Sequence, residues 1–295
     1  MIRIGLIIHL IGLMLGAPLN SFIQELPNQP GVSIDLNYRA LCPGEVIRVA
    51  IQEKQPLSRV RIEFSGKIYN LKKHVAPTQW MTLIGLDLDM EPGIYFMNLT
   101  FLYQGGKIEK YKEAVKVEPK EFPVKHLWVD EKYVTPPAEV IERIQVESAL
   151  VSSLYKIYSQ EWYGDGKFIV PCTGKASPNF GERRFFNEKP RSPHSGVDIS
   201  AITGTPVHAS NSGKVLLATN LYYSGNTVII DHGLGVISMY CHFSKIDVER
   251  GQFVNKGDKI GEVGATGRVT GPHLHWGIKV LNSRVDPFSL ISLDL

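Results

Sequence analysis

Short β-forming runs, each closed by a Gly, Pro, Asn or Ser turn, recur along most of this 295-residue chain and leave little room for long helices. In the first half they include Val46-Ile47-Arg48-Val49-Ala50-Ile51, Arg59-Val60-Arg61-Ile62-Glu63-Phe64 and Gly93-Ile94-Tyr95-Phe96-Met97-Asn98-Leu99-Thr100, divided by Pro43-Gly44, Ser65-Gly66, Glu91-Pro92-Gly93 and Gly105-Gly106. Such spacing predicts an antiparallel sandwich of immunoglobulin-like type over residues 22–119. In the second half Gly213 to Ala218, Asn226 to Asp231 and Val236 to His242 alternate with turns in the same way. The expectation for residues 164–295 is antiparallel sheets folded over one another with one face open as a groove, and Gly251 to Asp258 with Ile260 to Gly264 reads as a tight hairpin. The chain is thus expected to be all-β, mainly antiparallel, and long enough for two cores.

One helical pattern breaks the series. Val140, Ile141, Ile144, Leu150, Val151, Leu154 and Ile157 recur at helical spacing between Ala138 and Gln160, and Pro137 suits a first turn. With the connector Pro119 to Pro123 this makes a linker over residues 120–163, its amphipathic helix expected to pack between the two domains. At the N-terminus, Met1-Ile2-Arg3, the apolar Ile4 to Leu15 and Gly16-Ala17-Pro18 have the parts of a signal peptide over residues 1–21, cleaved between Ala17 and Phe22 or kept as an uncleaved anchor. The expected location is the periplasm or cell envelope. Cys42, Cys172 and Cys241 make neither a disulfide framework nor a C-x-x-C metal pair. A formal charge of +3 without any long Lys/Arg run argues against a nucleic-acid partner, and a monomer is expected.

The chemistry concentrates in Gly271-Pro272-His273-Leu274-His275-Trp276-Gly277-Ile278. As a strand entered through a Gly-Pro turn, this stretch turns His273 and His275 to one side and Leu274 and Trp276 to the other. In His194-Ser195-Gly196-Val197-Asp198 a straight strand would hold the two polar ends apart, whereas a bend at Gly196 would let them converge. His194, Asp198 and a histidine of the pair then supply three ligands and leave a fourth tetrahedral position open, the donor set of a catalytic zinc site without thiolates. In Met239-Tyr240-Cys241-His242-Phe243, alternation places Tyr240 and His242 on one face with Ser238 and turns Met239, Cys241 and Phe243 into the core. His208 and His232 read as surface and turn histidines.

Together with Phe180-Gly181-Glu182-Arg183-Arg184, Gly204-Thr205-Pro206-Val207, Gly225-Asn226 and Asp231-His232-Gly233, these groups resemble the lysostaphin-type, LytM-like zinc metallopeptidases, in the family's order from about Ile169 to Phe288. The upstream sandwich and helix are similar to an accessory region that some secreted members carry. The resemblance implies one zinc ion per chain held by His194, Asp198 and His275, with His242 and His273 as catalytic histidines. It further implies hydrolysis of peptide cross-links in bacterial peptidoglycan, hence stem peptides as partners, and it leaves room for a regulatory protein partner. Arg184 and Asn187, in the loop before His194, and Tyr240 are the candidates for substrate contact. No H-E-x-x-H helix is present to supply a glutamate base. Two alternatives stand beside this reading: a non-catalytic regulator of other wall hydrolases, and a zinc carboxypeptidase acting on D-alanyl stem peptides. A lipoyl-carrier-like sheet, suggested by Val254 to Asp258, leaves the histidines unexplained.

Overall fold

The computed structural model describes residues 19–26, 31–54, 56–73 and 79–295. The signal peptide expected over residues 1–21 lies outside the described residues except for Leu19, Asn20 and Ser21, and among the described residues no helix is long and apolar enough to cross a membrane. The chain divides into two compact units, one ending at Lys120 and taking in Ser292–Leu295, the other Glu121–Ile291.

Two antiparallel sheets make the first unit. One is ordered Asn20–Glu25, Val32–Tyr38, Val46–Glu53, Gln79–Gly85, Lys72–Lys73, the other Lys67–Asn70, Leu57–Phe64, Gly93–Tyr103, Ile108–Val117. Period-two burial marks the Val32–Tyr38 strand: Val32, Ile34, Leu36 and Tyr38 are buried while the residues between them are half exposed. The Ser65-Gly66 turn has both residues in the left-handed region, φ 48° and 73°, the twist a two-residue hairpin needs.

In the second unit the main sheet runs in the order Lys175–Ala176, Gly196–Ser200, His273–Val280, Val236–Ile246, Gly225–Gly233, Gly213–Leu221, Phe253–Val254. The His273–Val280 strand is interior to it, and its alternate residues Leu274, Trp276, Ile278 and Val280 are buried on one face. The hairpin expected from Gly251 to Gly264 does not form. Phe253–Val254 pairs with Gly213–Leu221, and Lys259–Val263 pairs with Pro206–His208 and with the end of Val236–Ile246. The segment between is drawn away by backbone bonds from Gly257 to Ala209 and from Ala209 to Asp258, which outweigh local closure. Directly after the connector the linker forms a strand: Val124–Leu127 runs parallel to Arg183–Phe186, which pairs in turn with Lys189–Pro190.

The helix expected between the domains belongs to the second unit and spans Ala138–Leu154, shorter than the apolar pattern. It stops because Tyr155 and Ile157 leave the helical path and join Val151 and Leu154 against Leu217, Leu221, Ile229, Ile237 and Met239 of the sheet. Burial of Leu154 contributes about 1.5–3 kcal/mol. Ile237, Met239 and Cys241 share a sheet face by alternation, and Cys241 is in register with His275. The end of the helix and the H-x-H histidines therefore occupy the same face of one sheet.

Candidate metal centre

Asp198 on Gly196–Ser200 stands in register with His275 on the neighbouring strand, so the two side chains rise side by side. His194 and Asp198 converge as the sequence led one to expect, and Gly196 between them also makes room for His275: a Cβ there would lie 2.8 Å from His275 Cε1, so only glycine lets the imidazole lie across the strand. His194 precedes the strand; its N–H donates to the Glu182 carbonyl and its own carbonyl accepts from Gly181 N–H. That pairing holds the ring over Asp198. His194 Nε2 lies 2.8 Å from His275 Nδ1, and the two nitrogens lie 3.1 and 3.0 Å from Asp198 Oδ1.

This donor set fits a zinc ion. Tetrahedral bonds of about 2.0–2.1 Å put neighbouring ligand atoms about 3.3 Å apart, so the three need open by only a few tenths of an ångström. His194 Nδ1 donates to the Asn179 carbonyl at 2.9 Å, which leaves its Nε2 lone pair for a cation. Burial alone would raise the Asp198 carboxyl, yet His194 and His275, when protonated, hydrogen-bond and attract it strongly enough to outweigh burial and hold Asp198 well below the usual carboxylate range. The second oxygen, Oδ2, is taken by Asn179 Nδ2 at 2.8 Å and Arg184 Nη2 at 3.0 Å, and Asn179 Oδ1 accepts the Asp198 N–H at 3.1 Å. Asp198 is thus tied on one side and offers Oδ1 on the other.

His242 reaches this centre through a bulge. The register between Val236–Ile246 and Gly225–Gly233 slips between Asn226 and Val228, and His242 takes φ 68°. A left-handed residue inside a strand reverses which face its side chain meets. The His242 ring centroid lies 4.8 Å from that of His273 and 6.2 Å from that of His275. His242 Nδ1 donates to the Thr266 carbonyl and His273 Nδ1 to the Gly271 carbonyl, both at 2.8 Å, so each Nε2 keeps a lone pair. Burial, then the neighbouring His275 and His273, push the His242 imidazole down to about 3, which keeps it neutral. Asp198, His273 and His275 retain side-chain exposures of 17, 18 and 17%, enough for water to reach them.

Residues 192–287 match the family model for peptidase family M23. A crystal structure from Pseudomonas aeruginosa assigned to peptidase M23 aligns over 85% of this chain and 95% of its own, with a TM-score of 0.66 and 32% identity. The chain belongs to peptidase family M23. Among curated relatives, the peptidoglycan DD-endopeptidase ShyA of Vibrio cholerae serotype O1 is 44% identical over 115 residues, 39% of this chain and 27% of ShyA. The DD-carboxypeptidase/endopeptidase Mpg of Neisseria meningitidis serogroup B is 41% identical over 97 residues, 33% of this chain and 22% of Mpg. The chain therefore matches only about a quarter of the length of these curated relatives.

The M23 match contains His194, Asp198, His242, His273 and His275, and the structure gathers all five at one point. The three residues expected to touch substrate each have partners within the protein. Arg184 lies behind Asp198, on Oδ2 and on Glu182. Asn187, at φ 49° in the turn after Arg183–Phe186, bonds the N–H and carbonyl of Val129 and the Glu131 carboxylate, and so pins the linker. Tyr240 is wholly buried, its hydroxyl bonded to Ser210 and Ser238 in the core beneath the sheet. Cys241, expected to face away from His242, instead lies on the face of the centre in register with His275; its thiol is pushed up to about 12 by burial and stays neutral. Because the left-handed turn falls at His242, strand alternation fails there. His232 is buried on Ser212 and Ser238, and His208 bonds the Gly257 carbonyl; neither joins the centre. Asn179 and Thr266, which hold His194, Asp198 and His242, went unnoticed in the sequence because neither stands at a ligand-like spacing. Asn179, directly before Phe180-Gly181, lies outside the matched residues.

Proposed function

We propose that this chain is a zinc metalloendopeptidase, one ion per chain, that hydrolyses peptide cross-links of bacterial peptidoglycan in the cell envelope. The observation that carries the reading is the triangle of His194 Nε2, Asp198 Oδ1 and His275 Nδ1, with sides of 2.8 to 3.1 Å, beside two further histidines. Zinc in that triangle would supply Lewis acidity, polarising a scissile carbonyl and acidifying a water. The protein's own residues supply the rest. Asn179 and Arg184 hold the Asp198 carboxylate with Oδ1 forward. His242 and His273 present Nε2 to the same space, where one imidazole takes a proton from the attacking water as its oxygen bonds the carbonyl carbon. Once protonated, that imidazole donates to the departing amine as the C–N bond breaks, and the second histidine hydrogen-bonds the oxygen on which charge develops.

The relatives named peptidoglycan DD-endopeptidase ShyA and DD-carboxypeptidase/endopeptidase Mpg support this substrate class, and the latter name also supports carboxypeptidase activity as a second reading. The test is incubation of the purified chain with sacculi, with and without a chelator, followed by analysis of the released muropeptides. An endopeptidase opens cross-linked dimers; a carboxypeptidase releases free terminal D-alanine; a non-catalytic regulator releases neither. Export follows from the same reading, and mass spectrometry of the native N-terminus checks it: loss of about the first 17 to 21 residues agrees with a cleaved signal, whereas an intact Met1 agrees with an anchor.

A further inference from the structure

Arg268 sits in the loop between Lys259–Val263 and His273–Val280, and the centre holds this loop on two sides. The Thr266 carbonyl receives His242 Nδ1, and Gly264 forms a bridge with His273. Arg268 N–H donates to the Tyr223 carbonyl at 2.8 Å, and Gly267, at φ 76°, packs so closely on Gly225 that a Cβ would clash with its backbone nitrogen. Backbone contacts therefore place Arg268, and its side chain is free for another use. The guanidinium carbon lies 4.7 Å from the Phe186 ring centroid and 4.6 Å from that of Tyr223. Among the described residues no carboxylate or carbonyl bonds this guanidinium.

Its charged neighbours are themselves cations, Arg191 and Arg184, and the buried Arg191 Nε has no hydrogen-bond partner. Burial, with these two charges nearby, pushes Arg268 down to about 10, so it is still charged at neutral pH. A guanidinium held against two rings, with its donor edge unused, has the arrangement that takes a carboxylate through two parallel N–H···O bonds. Arg184 and Phe186 share a face of Arg183–Phe186 about 7 Å apart. Arg184 on that face bonds Asp198, and the Thr266 carbonyl, two residues before Arg268, receives His242 Nδ1, so the Arg268 backbone stands on the order of 10 Å from the candidate metal centre, about three residues of extended peptide.

We propose that Arg268, backed by Phe186 and Tyr223, is a carboxylate-binding subsite beside the candidate metal centre, selecting acidic peptides whose free carboxylate lies within about three residues of the scissile bond. The cleavage part rests on the endopeptidase reading; the binding part does not. The probes are a cross-linked peptide in which a ketomethylene unit replaces the scissile amide, the same compound amidated only at the carboxylates flanking that unit, and the same amidated only at its C-terminus. Calorimetry on the full zinc-loaded chain measures their binding to wild type, Arg268→Gln and Arg268→Lys. Wild type prefers the free flanking carboxylate by roughly 10- to 100-fold, from the usual worth of a charge-assisted pair. Arg268→Gln loses that preference, Arg268→Lys keeps part of it, and C-terminal amidation leaves wild-type binding unaltered. Absence of the preference in wild type, its survival in Arg268→Gln, or a preference that follows only the terminus overturns the proposal. Should Arg268→Gln fail to fold, the wild-type comparison and Arg268→Lys decide. The parent amide peptides, incubated with wild type, separate the two readings: a preserved carboxylate preference without cleavage keeps the subsite and refutes the endopeptidase.

Discussion

Replacing Asn179 by alanine removes two side-chain bonds at once, the one its Nδ2 donates to Asp198 Oδ2 at 2.8 Å and the one its Oδ1 accepts from Asp198 N–H at 3.1 Å. The carbonyl that receives His194 Nδ1 belongs to the backbone and stays. A hydrogen bond to a charged group is worth about 1.5–3 kcal/mol and a neutral one about 1 kcal/mol. Loss of an outer partner of a metal ligand lowers affinity about 10- to 100-fold, which converts to about 1.4–2.7 kcal/mol. The two figures agree if most of the charged bond's worth goes into holding Oδ1 forward. Asn179→Ala is therefore expected to weaken zinc binding about 10- to 100-fold. Arg184→Gln makes the contrast, because it also removes a bond to Oδ2, at 3.0 Å, but takes a positive charge away from the seat of a dication. At an effective dielectric of about 20 and a separation of about 6 Å, that repulsion is on the order of 5 kcal/mol before screening. Its relief opposes the lost bond, so Arg184→Gln should lose less affinity than Asn179→Ala, or gain some. Competition with a chelating dye, on variants shown by thermal unfolding to be folded, measures both. A folded Asn179→Ala that binds zinc within about twofold of wild type, or an Arg184→Gln that loses more, refutes the reasoning about Oδ2.

His275→Ala should lose zinc and activity together, while His242→Ala and His273→Ala keep zinc and lose roughly 10²- to 10⁴-fold in turnover; metal analysis beside rate measurement shows it, and a His275→Ala that retains its metal contradicts the triangle. Cys241→Ala should keep zinc and activity and lower stability by about 1 kcal/mol, a melting shift of about 2–4 °C, since a neutral buried thiol only packs; an inactive, folded, zinc-loaded variant tells against that. His232 is wholly buried and burial pushes its imidazole down to about 4 from an ordinary 6.5, so between those values the unfolded chain binds a proton that the native chain refuses. Its contribution is present above the ordinary value and falls away as pH drops towards 4, by up to about 3 kcal/mol. Denaturant titrations across this window should show a steeper loss in wild type than in His232→Gln, and equal slopes would exclude His232 as the cause.

Residue type and local spacing were enough to point to the chemistry. Three non-thiolate ligands with an open fourth position follow from His194, Asp198 and the H-x-H pair, and period-two alternation correctly separated His273 and His275 from Leu274 and Trp276. The same rule misplaced His242, because alternation assumes a regular strand and the bulge at His242 arises from pairing with a segment 17 residues away, Asn226 against Phe243. The turn-rich spacing predicted antiparallel sheets but not their partners, so Phe253–Val254 and Lys259–Val263 went to different strands instead of to each other. Helical periodicity placed one helix well yet could not say what it covers, since apolar spacing records a buried face and not the surface it meets. What the sequence determined by itself was therefore the set of candidate groups and the local direction of most side chains, both properties of a few neighbouring residues. Only the tertiary structure decided that Asp198 rises beside His275, that Asn179 and Arg184 close off Oδ2, and that Tyr240 lies in the core, because each depends on register between strands far apart in the chain.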